Sequence, residues 1–79
     1  MNYKKIYYQL IEKRQNNRLI KGKDLCESHH IVPKSIGGSN SSDNMVNLSL
    51  REHLIAHMLL EKWFYDEYGE NDSRYISMA

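Results

Sequence analysis

The sequence predicts a small α+β fold whose elements follow one another as helix, strand, loop, strand and helix. Three observations support this class. An amphipathic apolar period lies near the start, a Gly- and Ser-rich stretch separates two short apolar segments, and a longer apolar period follows a helix-start signal. With 79 residues, of which 41% are hydrophobic, the chain is expected to form one small domain over residues 1–79.

The first helix is predicted over about residues 3–14. Apolar side chains recur there at i, i+3, i+4, i+7 and i+8, which is one face of a helix, and Asn2 is suited to cap it. These apolar positions are Tyr3, Ile6, Tyr7, Leu10 and Ile11. Residues 15–17 break the period, and residues 21–24 predict a turn.

The remaining elements form a core predicted over about residues 25–68. Residues 25–32 predict a strand that ends before Pro33, residues 35–44 a loop in which Gly37-Gly38 is a turn, and residues 45–48 a second strand. The second helix begins at the capping box Ser49-Leu50-Arg51-Glu52 and is expected to end near Tyr68. Residues 69–79 form a polar tail without a predicted element.

The buried faces are predicted from the same periods. The apolar stripe of the second helix is expected to pack against the first helix as ordinary core. Cys26 is expected to be a buried apolar thiol, and as the single cysteine it excludes an internal disulfide. The predicted stripe consists of Leu54, Met58 and Trp63, with Tyr7, Leu10 and Ile11 opposite.

Charge is distributed unevenly, although the net charge is only +1. Residues 1–34 carry eight Lys or Arg against three acids, whereas residues 35–79 carry three against seven. The basic half suits a polyanion such as nucleic acid, and a solvated face is the alternative. Apolar runs are too short to span a bilayer and the start lacks a secretory h-region, so an intracellular protein, in the cytoplasm of a host cell, is expected.

Four histidines lie on two of the predicted elements. His29 and His30 are adjacent at the end of the first strand, and His53 and His57 are spaced i, i+4 on the second helix. Side chains at that helical spacing share one face, where two imidazoles can bind one cation and a third ligand can come from a neighbouring strand. The alternatives are an accidental pair on a polar face and satisfied core histidines.

The segments around these histidines resemble the HNH endonuclease motif, in the form found in phage and intron homing endonucleases. The resemblance is carried by four pieces in order, which together cover about residues 27–60. They are Glu27-Ser28-His29-His30-Ile31-Val32-Pro33 with Gly37-Gly38, then Asn44-Met45-Val46-Asn47-Leu48-Ser49, then Arg51-Glu52-His53, and then His57. The family implies a ββα-metal core: two short antiparallel strands, a loop between them, and a packed helix.

The resemblance also implies roles for single residues. His29, His53 and His57 match metal ligands, and His30 matches the general base that activates water. Asn44 matches the residue that braces the loop and helps to hold the base. Glu27 is a candidate to orient a metal ligand or an arginine, and the alternative is an exposed strand carboxylate without a role. Arg51 is a candidate to contact a phosphate or the transition state, and the alternative is a solvated residue in the first turn of the helix. Lys34 has the same two interpretations.

The activity implied is metal-dependent hydrolysis of DNA. An imidazole with the usual histidine pKa of about 6.5 suits proton removal from water at physiological pH. One divalent ion would stabilise charge on the phosphate and on the leaving oxygen. Three imidazoles favour Zn²⁺, Ni²⁺ or Mn²⁺ over Mg²⁺, although family members are often assayed with Mg²⁺.

Two alternatives stay open at this point. One is a non-catalytic nucleic-acid-binding module in which a histidine-bound metal only holds the fold together. The other is a piece of a longer homing endonuclease that carries further DNA-binding helices. The oligomeric state and the target sequence are not encoded in a pattern that can be read.

Adjacent strand residues point to opposite faces, so His29 and His30 share a cleft only if the strand bends or ends there.

Overall fold

The computed structural model describes residues 1–69, so the predicted polar tail beyond Gly69 lies outside the described residues. The α-helices are α1 (Tyr3–Asn16) and α2 (Leu50–Tyr68), and the strands are β1 (Glu27–His30) and β2 (Met45–Leu48). Two 3₁₀ turns, Lys34–Ile36 and Ser42–Asn44, lie in the loop between the strands. The predicted α+β class and order of elements are confirmed.

Both helices begin at the predicted capping residues. The Asn2 side chain accepts a hydrogen bond from the Lys5 amide at 3.0 Å. At the start of α2, the Ser49 hydroxyl accepts from the Glu52 amide at 3.2 Å, and the Glu52 carboxylate accepts from the Ser49 amide at 3.0 Å. The capping box thus satisfies amides that the first turn cannot pair internally, and α2 starts where β2 ends.

The strands pair antiparallel, with Glu27 opposite Leu48 and His30 opposite Met45. β1 is shorter than the predicted strand because the backbone after His30 forms hydrogen bonds to Asn44 and then enters a 3₁₀ turn. The Ile31 amide donates to the Asn44 carbonyl at 2.8 Å, and the Val32 amide donates to Asn44 Oδ1 at 2.9 Å. The ladder therefore ends at the two adjacent histidines.

The core lies between α1, α2 and one face of the hairpin. Its buried apolar residues are Tyr7, Ile11, Ile31, Val46, Leu48, Ala56, Leu60, Trp63 and Phe64. The predicted buried face of α2 was wrong at two positions, because Leu54 is 63% exposed and Met58 is 48% exposed. Apolar residues occupy two neighbouring stripes of α2, and the helix packs through the one that contains Ala56, Leu60 and Phe64.

Cys26 also differs from its prediction, since it is half-buried and not buried. The ladder begins at Glu27, so Cys26 precedes the strand and is not covered as a strand residue would be. Leu25 beside it is 79% exposed, which places the start of this segment at the surface.

An ion pair joins the end of α1 to the start of α2. Arg14 Nε donates to Glu52 Oε1 at 2.7 Å, and both side chains are largely buried. Burial opposes ionisation of Glu52, but the hydrogen bonds from Arg14 and Ser49 outweigh it and lower the pKa of this carboxyl. Arg14 therefore joins the two helices as the ion-pair partner of Glu52.

Within residues 1–69, no helix combines the length and the apolar character that crossing a bilayer requires.

Candidate active site

Three of the four histidines converge on one point between the hairpin and α2. His29 comes from β1, and His53 and His57 come from one face of α2, as their i, i+4 spacing predicts. One ring nitrogen from each residue lies within 4.8 Å of the others. His53 Nε2 and His57 Nε2 are 3.1 Å apart. The cluster is defined as these three side chains.

His29 lies at the buried end of the cluster and is only 3% exposed. Burial, and then the charge that the neighbouring imidazoles can carry, lowers the pKa of His29 from 6.5 to about 3. The ring is therefore neutral at physiological pH and keeps a lone pair for a cation.

Two residues of the cluster, His53 and His29, each have one ring nitrogen in contact with a residue outside the cluster. His53 Nδ1 lies 3.1 Å from Glu27 Oε1, which is the orienting contact considered for Glu27. His29 Nε2 lies 2.7 Å from the hydroxyl of Tyr7, a residue that the sequence predicted only as part of the core. Hydrogen bonds of this kind orient histidine ligands in metal sites. A buried tyrosine hydroxyl needs a polar partner, and that requirement was the one indication in the sequence that Tyr7 contacts a polar group.

The donor set fits a divalent transition ion. A tetrahedral ion with bonds to nitrogen of about 2.0–2.1 Å places its ligand nitrogens roughly 3.3 Å apart. The observed separation of 3.1 Å between His53 and His57 is close to that value, and one nitrogen from each of the three residues lies within 4.8 Å of the others. Neutral imidazoles suit Zn²⁺, Ni²⁺ and Mn²⁺, whereas Mg²⁺ prefers oxygen ligands.

His30 shares a cleft with the cluster without belonging to it. The cleft has a volume of about 310 Å³ and is lined by Ser28, His29, His30, Pro33, Lys34, Ser35, His53, His57 and Leu60. Because β1 ends at His30, the two adjacent histidines border one cleft although strand geometry directs them to opposite faces. His30 Nε2 lies 2.8 Å from the Oδ1 atom of Asn40, and no pattern in the sequence predicted this contact.

Asn44 braces the loop between the strands, as the family likeness implies. Its Nδ2 donates to the Val32 carbonyl at 3.0 Å and to the Ser39 carbonyl at 2.8 Å. The hydrogen-bond partner of His30 is Asn40, one residue beyond Ser39, so Asn44 is connected to His30 through the loop. Gly38 makes this path possible, because a Cβ there would lie 1.7 Å from the Val32 carbonyl oxygen.

The two candidate phosphate contacts differ in position. Lys34 lines the cleft beside His30. Arg51 is exposed in the first turn of α2 and is not among the residues that line the cleft. Of the predicted site residues, the structure therefore brings all four histidines to one cleft and places Glu27 against His53. Asn44 is connected to His30 only through the loop, and Arg51 stays apart.

A hairpin followed by a helix, with a histidine cluster between them, is the arrangement of the ββα-metal class. The family model described as HNH endonuclease matches residues 14–57, which is more than half of the chain. The chain belongs to the HNH endonuclease family.

Several relatives come from Enterobacteria phage T4 and are described as probable mobile endonucleases. Probable mobile endonuclease D is 49% identical over 71 residues, which is 87% of this chain and 27% of that protein. Probable mobile endonuclease E is 45% identical over 62 residues, which is 78% of this chain and 43% of that protein. The chain thus spans between about a quarter and less than half of these relatives. No solved structure matches the chain significantly.

Proposed function

We propose that this chain is a divalent-metal-dependent endonuclease domain that hydrolyses DNA phosphodiester bonds inside the cell. The observation that carries the proposal is a cleft in which His30 lies beside, and outside, a cluster of three histidines. A site that only held the fold together would have no use for a further imidazole at the opening. Family membership, and the description of the relatives as probable mobile endonucleases, support the same conclusion.

His30 is the proposed general base. When its Nε2–H donates to Asn40 Oδ1, the lone pair is on Nδ1, and Asn40 holds the ring in that tautomer. The basic nitrogen then removes a proton from a water molecule as the water oxygen bonds to phosphorus and the opposite P–O bond breaks. A positioned base of this kind contributes about 10²–10⁴-fold to the rate.

His29, His53 and His57 would hold one divalent ion, through one nitrogen each. When bound, the ion supplies positive charge for the phosphoryl oxygens and for the departing oxyanion. Glu27 orients the His53 ring through its contact to Nδ1, and the Glu27 side chain is 55% exposed. Because the Glu27 contact lies at the surface, its contribution is expected to be smaller than that of the ligands themselves.

A second groove offers a path for the DNA strand beyond the cleft. Its volume is about 590 Å³, and it is lined by Arg18, Leu19, Ile20, Lys21, Ser28, Asn40, Ser42, Met45, Val46 and Asn47. Ser28 lines both the groove and the cleft, and Lys21 Nζ donates to its hydroxyl at 3.0 Å. We call this surface the basic groove. Phosphates that flank the cut bond would lie along it, next to Arg18 and Lys21.

Cleavage of a supercoiled plasmid across a panel of metals tests the proposal. The metal-free chain is expected to be inactive, and addition of Zn²⁺, Ni²⁺, Mn²⁺ or Mg²⁺ is expected to produce nicked or linear DNA with at least one of them. A chelator should remove the activity and excess metal should restore it. A folded, metal-loaded chain that cleaves no DNA under any of these conditions would instead support the non-catalytic binding module.

The basic groove is tested through the salt dependence of DNA binding. Arg18→Gln and Lys21→Gln are each expected to weaken duplex binding and to lower the slope of log Kd against log salt by about 1 per neutralised contact. Fluorescence anisotropy over a salt series measures this slope. Lys62→Gln is the matched control, because Lys62 lies against Tyr3 on another surface of the protein. Equal slopes in all three variants and the wild type would contradict the groove.

A further inference from the structure

The Tyr7 hydroxyl lies at the buried base of the histidine cluster and has two polar neighbours. It donates a hydrogen bond to the Ile31 carbonyl oxygen at 2.6 Å, and it lies 2.7 Å from His29 Nε2. Tyr7 is fully buried and His29 is 3% exposed, so bulk water does not compete for either contact.

The number of protons available assigns the direction of both hydrogen bonds. A tyrosine hydroxyl has one proton, and a carbonyl oxygen only accepts. The proton therefore points to Ile31, and the Tyr7 oxygen can only accept from His29. That requires a hydrogen on His29 Nε2, so the neutral ring carries its lone pair on Nδ1.

We propose that Tyr7 is a positioning residue of the metal centre: it selects the tautomer of His29 that presents Nδ1 as the ligand nitrogen. The inference rests on the metal site of the proposed function. His53 is held in the opposite way, because Glu27 contacts its Nδ1 and leaves Nε2 toward His57. His29 thus presents a different ring nitrogen from His53, and a separate hydrogen bond holds each of these two rings.

This assignment makes α1 a part of the active site. Tyr7 lies outside residues 14–57, which the family model matches, and on a helix that contributes no side chain to the cluster itself. The position of its ring is determined by packing, since its centroid is 5.2 Å from that of Tyr8 and 6.1 Å from that of Trp63 on α2. The contacts between α1 and α2 therefore set the place of the hydroxyl under His29.

Nitrogen NMR of the metal-free chain at pH 7.5, with ¹⁵N-labelled histidine, tests the proposal directly. The wild type is expected to show His29 as the Nε2–H tautomer. Tyr7→Phe removes the acceptor while it keeps the ring, so His29 should lose this single tautomer. Titration with Zn²⁺ followed by calorimetry should then show an affinity lower by about 10–100-fold, the range found when an outer partner of a ligand is removed.

Tyr8→Phe is the matched control. Tyr8 is the next residue on α1 and packs on Tyr7 and Trp63, but among residues 1–69 its hydroxyl has no hydrogen-bond partner. It should leave the tautomer and the Zn²⁺ affinity unchanged. The proposal is overturned if wild-type His29 is the Nδ1–H tautomer, a result that does not depend on the folding of any variant. It is also overturned if folded Tyr7→Phe binds Zn²⁺ as the wild type does.

The result is separable from that of the nuclease proposal, because no step of the experiment uses DNA. A chain that binds Zn²⁺ with the expected tautomer and yet cleaves no DNA would contradict the nuclease and support the role of Tyr7. A wild-type chain that binds none of Zn²⁺, Ni²⁺, Mn²⁺ and Mg²⁺ would contradict both.

Discussion

His30→Ala is expected to lower the rate of DNA cleavage by about 10²–10⁴-fold, the contribution of a positioned general base. The reason is that His30 is the one histidine of the cleft whose nitrogens are not among the clustered ligand atoms. Single-turnover cleavage of a labelled duplex, with enzyme in excess over DNA, measures the rate of the chemical step.

Metal binding should survive the same substitution. The affinity for Zn²⁺ or Ni²⁺, measured by calorimetry, is expected to stay within about threefold of wild type, since the ligands and their outer hydrogen bonds are untouched. Met58→Ala serves as the activity control, because Met58 is exposed on α2 and does not line the cleft. Wild-type cleavage by a folded His30→Ala chain would remove His30 from the mechanism.

His53→Ala is expected to lose both metal affinity and cleavage. One of three nitrogen donors disappears, and the loss of affinity should exceed the roughly 10–100-fold that removal of an outer hydrogen-bond partner costs. Glu27 would also lose its contact to the ring. Calorimetric titration with Zn²⁺ and the single-turnover assay on the same preparation measure the two effects together.

His53 is only partly buried, so its replacement leaves the core intact, and circular dichroism should show a folded chain. Met58→Ala again provides the comparison on the same helix. Retention of wild-type Zn²⁺ affinity by His53→Ala would contradict the three-histidine site. Considered together, the two variants separate a catalytic site from a structural one: loss of cleavage with metal retained is expected only where His30 performs chemistry.

The secondary structure was predictable because its signals are local. The Asn2 cap and the Ser49–Glu52 capping box act within one helical turn, and both are present where the sequence places them. The period of α1 and the spacing of His53 and His57 also depend only on helical geometry. The end of β1 was less well predicted, because it depends on hydrogen bonds to Asn44, a residue more than ten positions away.

The buried face of α2 shows why packing cannot be read from one helix. Leu54 and Met58 continue an apolar period as well as Ala56 and Leu60 do, yet the first pair is exposed and the second is buried. The choice between the stripes depends on where α1 and the hairpin lie. The burial of Cys26 also depends on tertiary structure, since it is determined by where the strand ladder begins.

The chemistry available to this protein follows from its amino-acid sequence: four imidazoles, two of them on one helical face, and the capping and turn residues that form a helix after a hairpin. The groups that hold those imidazoles in place are known only from the folded structure. Asn40 on His30 and Tyr7 on His29 are contacts between residues 10 and 22 positions apart. Such contacts leave no periodic trace in the chain, because a hydrogen bond selects a partner by its place in space, and that place exists only when the elements have packed.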